Sequence, residues 1–188
     1  MRNFNALIIA LSTSTLMMMG CGNGKKITPA DQGEVMVELH CRDAKHKGDS
    51  DYFRSFGKGV SMSSDIAMQK ARTSAEAELA RTIEATVESV TDKQATEAEY
   101  NNKAELTQMF NSFTRVVVKQ ELRGAVVVCD KLTQKGDGTY TSYMALELSG
   151  ESVAKAYEEK ISDEEILKAH FNYENFKKTF EEEMSKQR

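Results

Sequence analysis

Several residue types that mark particular classes of protein are scarce in this sequence. The 188 residues include no tryptophan, one proline and three cysteines, which excludes a proline-rich linker protein and a dense disulfide scaffold. The sequence has no excess of basic residues, since it contains 25 Lys and Arg against 29 Asp and Glu and its net charge is -4. The positive surface that nucleic-acid binding requires is therefore missing. What is present, 40% hydrophobic and 29% charged residues, is typical of one folded domain.

The longest apolar stretch lies near the amino terminus and ends at Gly20-Cys21, with Arg2 as the only charged residue before it. It is shorter than the about 20 apolar residues that a membrane-spanning helix needs, and it has the form of an export signal. A small residue directly before a cysteine resembles the lipobox of bacterial lipoproteins, although Met18 stands where that family usually has Leu. The resemblance implies that residues 1–20 are a signal peptide and that the Cys21 sulfur carries lipid. An ordinary secretory signal and an uncleaved anchor are the alternatives.

The lipoprotein interpretation sets the expected location and the first expected partner, which is a membrane. Two or three acyl chains on Cys21 make a durable anchor. Gly22 follows the cysteine, and because no Asp is there to suggest retention in an inner membrane, we expect the outer membrane of a bacterium. Residues 21–33 contain glycines and the only proline, so we expect a flexible tether before a single domain over residues 34–188.

The domain contains segments with the alternating pattern of strands. Lys135–Gly138 has the composition of a hairpin turn between the last two of them, and Gly124 predicts a bulge or bend in the third. Arg115–Lys119, with three consecutive valines, also has a strand-like composition. The four predicted strands are Glu34–Cys41, Tyr52–Met62, Leu122–Leu132 and Thr139–Leu148.

A long helix is predicted over Ile66–Val90, because no glycine or proline interrupts an apolar stripe at helical spacing. The first half of the stripe is alanine, and Gly57 and Gly59 on the preceding strand have no side chains. We therefore expect the helix to cross that strand at close range. The polar residues 92–103 leave open a continuation of the helix or a mobile excursion.

Two further helices are predicted near the carboxyl terminus. Ser149 is expected to cap a short helix that ends near Lys160. Ser162–Glu165 has the form of a capping box and is expected to open the last helix. The order of elements predicts an α+β fold with two layers, in which an antiparallel sheet of about four strands is packed by the long alanine-rich helix, with helices over 149–188 at the end.

Part of this pattern resembles a known family. Phe56–Gly59 leads into the alanine-rich segment Ala67–Arg81, and Leu122–Val128 belongs to a hairpin that ends in Tyr143–Leu146. In these motifs the chain resembles the LPP20 family of bacterial lipoproteins, which is related in arrangement to the amino-terminal domain of a flagellar assembly protein. The resemblance covers residues 52–148, and it implies an envelope lipoprotein without established catalytic residues.

Three groups of residues contain the residue types of chemical sites. Gly57-Lys58-Gly59 lacks the remainder of a phosphate loop or dinucleotide fingerprint. Ser61 and Ser63 resemble a nucleophile elbow at a strand-to-helix junction, and a serine hydrolase is a minor alternative. His40-Cys41 with His46 holds metal-ligand types, but without a second cluster. We predict no catalytic, cofactor-binding or metal-binding residues.

The remaining candidates concern cross-linking and binding. Cys41 and Cys129 are free to form a disulfide in an oxidising compartment, or to pack as separate buried thiols. Tyr140 and Tyr143 are candidates for contacting a small ligand or a glycan. An aromatic stripe in the last helix either packs on the domain or lies in a groove of a partner; it consists of Phe171, Tyr173, Phe176 and Phe180. The favoured hypothesis is a non-enzymatic binding or assembly module with an envelope protein as partner, and a ligand- or glycan-binding lipoprotein is the alternative.

Overall fold

A computed structural model describes residues 38–186. The fold is α+β, as predicted, with one antiparallel sheet and five helices in that range. The strands are β1 (Tyr52–Ser61), β2 (Val126–Gln134) and β3 (Tyr140–Ser149). The helices are α1 (Ser64–Glu97), α2 (Lys103–Glu121), α3 (Gly150–Ile161), α4 (Glu165–His170) and α5 (Tyr173–Ser185), and short 3-10 turns cover Ala44–His46 and Leu122–Gly124.

The strand order in the sheet is β1-β3-β2, and β3 is antiparallel to both of its neighbours. The predicted hairpin between β2 and β3 is confirmed, since the Lys135 amide donates to the Thr139 carbonyl over 2.9 Å. The predicted irregularity at Gly124 is wrong. Gly124 lies in the 3-10 turn before β2, and the register shift falls between Val127 and Cys129.

The predicted close approach of the long helix to the glycine-bearing strand is confirmed. A Cβ atom on Gly57 would lie closer than 3.0 Å to the Ala71 carbonyl oxygen, and one on Gly59 equally close to that of Ala67. The Ser55 hydroxyl donates to the Ala75 carbonyl over 2.8 Å, so the strand also bonds to the helix backbone. The buried stripe of α1 then extends over the rest of the core as Leu79, Ile83, Val87 and Val90.

The strand-like expectation for Arg115–Lys119 is wrong, because these residues lie in α2. The side chain of Asn102 accepts from the Glu105 amide over 3.3 Å and caps the helix. Leu106, Phe110 and Val117 follow at helical spacing and are fully buried. Three valines in a row favour a strand locally, but the buried face of an amphipathic helix decides the structure here. β2 consequently begins four residues later than predicted, at Val126.

The carboxy-terminal helices differ from the prediction in one respect. Ser149 caps α3 as predicted, accepting from the Ser152 amide over 3.4 Å. The last helix is divided into α4 and α5, and Ser162–Glu165 forms no capping box, since the cap of α4 is Glu164 without a side-chain bond. Asn172 caps α5 instead, accepting from the Asn175 amide over 2.9 Å.

The first predicted strand is not found in the part of the chain that is described. Residues 34–37 of that segment lie outside it, and residues 38–41 form no strand, with Cys41 in a turn at φ 59°. The sheet of residues 38–186 accordingly has three strands rather than about four. The predicted signal peptide, the Cys21 lipid site and the tether over 21–33 also lie outside the described residues. Within them, no helix combines the length and the apolar character needed to cross a bilayer.

Candidate functional site

The most exposed element of the sheet is β2. It pairs with β3 along one edge, and nothing within residues 38–186 pairs with the other edge. Because α1 packs on β1 and β3, the side chains of β2 remain exposed, except Cys129, which is half-buried. Val126, Val127 and Val128 are 54%, 43% and 37% exposed, and Leu132 is 45% exposed. An apolar strand with a free backbone edge is the arrangement that other chains recognise by strand addition.

The register of β2 shows which side chains share each face. Val127 pairs with Leu146, Asp130 with Met144 and Leu132 with Ser142, all on the face that α1 covers at β1. Lys131 pairs with Tyr143 on the opposite face. The α1 side of the edge therefore offers two apolar side chains around one carboxylate, and the other side offers an amine.

The opposite face of the sheet is partly covered by residues 38–49. Cys41 and Cys129 form a disulfide with a Cα–Cα distance of 5.5 Å, which holds this segment on β2. The His40 ring meets the Tyr143 ring edge-on, with centroids 5.2 Å apart. The Arg42 guanidinium lies 5.5 Å above the centroid of the Phe56 ring. The segment thus crosses the sheet from β2 to β1.

Arg54 fixes the far end of the same segment on β1. Its Nε donates to Glu147 Oε2 over 2.6 Å, and its Nη1 donates to Asp49 Oδ2 over 2.5 Å and to the Lys47 carbonyl over 2.8 Å. Desolvation alone would raise the pKa of Asp49, but bonds from backbone amides and from Arg54 outweigh it, and the pKa is lowered. The carboxylate therefore stays charged and holds the segment down to acidic pH.

The two serines of the hydrolase alternative do not assemble a catalytic group in the described range. The Ser63 amide donates to Ser61 Oγ over 3.2 Å, and no histidine of residues 38–186 bonds to either hydroxyl. His46 instead pairs with Asp43, at 2.6 Å between Nδ1 and Oδ1. Because Cys41 is in the disulfide, it cannot serve as a thiolate ligand, and no group of three potential metal ligands occurs in this range.

The two tyrosines predicted as ligand contacts do not form one site either. Tyr140 and Tyr143 lie three residues apart on β3 and so point to opposite faces of the sheet, which prevents them from lining one site.

The aromatic stripe on the last helix packs on the domain, as one of its two interpretations predicted. Phe176 and Phe180 are buried with stacked rings 5.6 Å apart, and Phe180 meets Phe53 of β1 at 6.0 Å. Phe176 and Phe180 are therefore not available to lie in a groove of a partner protein.

The exposure of β2 is the feature of the candidate site that the sequence did not predict. The pattern of Leu122–Leu132 predicted a strand, and the position of α1 over β1 and β3 shows that the valines of this strand are uncovered. Comparison of the sequence with protein-family models and with curated proteins finds no match. The resemblance of residues 52–148 to the LPP20 family stays a prediction on those grounds.

Proposed function

We propose that the protein is a lipid-anchored lipoprotein of the bacterial outer membrane that acts as a non-enzymatic binding or assembly module. The signal-like segment ending in Gly20-Cys21 supports the anchor. The free, apolar edge of β2 is the observation that carries the binding role, because unpaired backbone groups beside exposed valines gain most from a second extended chain.

The partner is an extended segment of another envelope protein that adds a strand to β2. Side chains of such a strand alternate between the two faces of the sheet. On the α1 side they meet Val127, Asp130 and Leu132, so a partner with apolar residues around one basic residue matches this face. On the other side an acidic residue matches Lys131.

In-cell cross-linking of the lipidated protein tests the partner and the surface together. We expect cross-links from Lys131 to one envelope protein, and their loss in the Val127→Glu/Leu132→Glu variant, which places charge on the edge. Val116→Glu is the matched control, since Val116 is 62% exposed on α2, away from the edge. Cross-links that persist in the double variant, or that the control also removes, would count against strand addition at β2.

The lipid anchor has a separate test at Cys21. Cys21→Ala removes the sulfur that carries the lipid, so we expect the variant to lack lipid label and to leave the membrane fraction. Met18→Leu, which restores the residue usual in the lipobox, should be labelled and retained like the unaltered protein. A Cys21→Ala protein that stays in the membrane would indicate an uncleaved signal anchor.

A further inference from the structure

A cleft of about 570 Å³ opens between the start of β1, the first turns of α3 and one side of α5. Its floor consists of the apolar side chains of Ala154, Phe180 and Met184, which are each at most 5% exposed. Gly150 keeps the floor low, because a Cβ atom there would lie 2.9 Å from Met184 Cε and 3.6 Å from Phe180 Cε1. The volume is within the range of small-molecule sites.

Two tyrosines stand on the walls of this cleft. Tyr52 is 40% exposed at the edge of the cleft, and its ring packs against the Arg54 guanidinium at 5.3 Å on the face of the sheet opposite to α5. Tyr173 is half-buried at the start of α5. Burial and the neighbouring Glu158 carboxylate, to which the phenol is hydrogen-bonded, raise the pKa of Tyr173, so the ring face rather than the hydroxyl is what Tyr173 offers to the cleft. An aromatic face of this kind is suited to apolar contact with a ligand.

The rim carries charges of both signs. Lys155 Nζ pairs with Glu151 Oε1 at 2.8 Å. Lys177 and Glu181 are one turn apart on α5, and Lys177 contributes to lowering the pKa of Glu151. Three carboxylates (Asp51, Glu151 and Glu181) line the cleft with two amines (Lys155 and Lys177), so the cleft does not attract a polyanion. It does offer both donors and acceptors, the two functions that a hydroxyl group uses.

We propose that this cleft binds an uncharged oligosaccharide. Sugar hydroxyls donate to Glu181 and accept from Lys177, while the C–H face of the ring packs on Tyr173 above the apolar floor. The site is distinct from the Tyr140 and Tyr143 candidates and does not depend on a partner at β2. The same chemistry is found in free oligosaccharides and in the glycan strands of the cell wall.

The test uses the full-length lipidated protein in a detergent without a sugar headgroup. Calorimetric titration with chitotriose and maltotriose should show saturable binding of at least one of them, with a Kd below about 1 mM. The Lys177→Gln/Glu181→Gln variant should bind at least tenfold more weakly. Lys178→Gln/Glu182→Gln is the matched control, since both residues are exposed on α5 outside the cleft, and its affinity should not change.

Co-sedimentation with purified peptidoglycan sacculi separates the two sources. Sedimentation that Lys177→Gln/Glu181→Gln reduces identifies cell-wall glycan, and trisaccharide binding without sedimentation identifies a free oligosaccharide. The proposal is overturned if neither trisaccharide nor sacculi bind, or if the double variant binds as well as the unaltered protein. Tighter binding of glucose 6-phosphate than of both trisaccharides would also overturn it, since it would make the cleft an anion site.

Discussion

Replacing Gly57 by alanine tests the contact on which the two layers of the fold depend. The added Cβ atom would lie closer than 3.0 Å to the Ala71 carbonyl oxygen, the Ala75 amide nitrogen and Ala75 Cβ. Two of these atoms belong to the backbone of α1, so the clash is relieved only by moving the helix or the strand. Overpacking of a close-packed core costs about 1–3 kcal/mol, and a clash with backbone belongs at the upper end.

A second effect of the same substitution raises the free energy of unfolding and must be subtracted from the cost of the clash. Alanine restricts the unfolded chain more than glycine, which by itself stabilises a protein by about 0.4–1 kcal/mol. We therefore expect Gly57→Ala to lower the free energy of unfolding by about 2 kcal/mol in net terms. For a chain of this size, that corresponds to a fall in Tm of roughly 4–8 °C.

Urea and thermal denaturation followed by far-ultraviolet circular dichroism measure the effect. Gly59→Ala, which brings its Cβ atom equally close to Ala67 O, should behave in the same way. Gly136→Ala is the control, because no heavy atom lies within 4 Å of a Cβ built there, and its effect should stay within about 0.5 kcal/mol. Stabilisation by Gly57→Ala would refute the close-packing argument.

Two further predictions concern the disulfide and a buried phenol. The Cys41→Ser/Cys129→Ser variant loses a covalent link across 88 positions of sequence, so its unfolded chain gains conformational entropy. The free energy of unfolding measured in urea should fall by about 4 kcal/mol, and an unchanged midpoint would contradict this. Tyr157 is fully buried, its hydroxyl lies 3.3 Å from Thr114 Oγ1, and burial raises its pKa. The unfolded chain therefore releases this proton at a lower pH than the folded chain, so the free energy of unfolding should fall above about pH 10. Tyr157→Phe should reduce the slope of the free energy of unfolding against pH, and it should cost about 1 kcal/mol at pH 7 through loss of the hydrogen bond. Equal slopes for the two proteins would exclude the mechanism.

The parts of the fold that sequence predicted well are those with strong local signals. The Lys135–Gly138 turn, the Ser149 cap and the uninterrupted stripe of α1 each depend on residues close together in the chain. The close crossing of α1 over Gly57 and Gly59 was also predictable, because missing side chains on one element matched alanine on the next.

The errors arose where distant contacts decide the outcome. Arg115–Lys119 has the composition of a strand, but the core that receives Val117 and Val118 selects a helix. The pairing of Cys41 with Cys129 stayed open because 88 positions of separation say nothing about distance in space. For the same reason the uncovered edge of β2 and the cleft beside α5 could not be predicted, since both are set by the packing of elements far apart in the chain.

The disulfide also determines how mechanical force travels through the protein. Tension that enters from the chain before Cys41 passes through the sulfur bridge into Cys129 on β2, so the covalent ring between the two cysteines lies outside the path of the load. That ring contains β1, α1 and α2. For a protein tethered at its amino terminus and pulled at β2, the force would run between tether and edge strand without extending most of the core. Reduction would redirect the same pull into β1, the strand on which α1 packs.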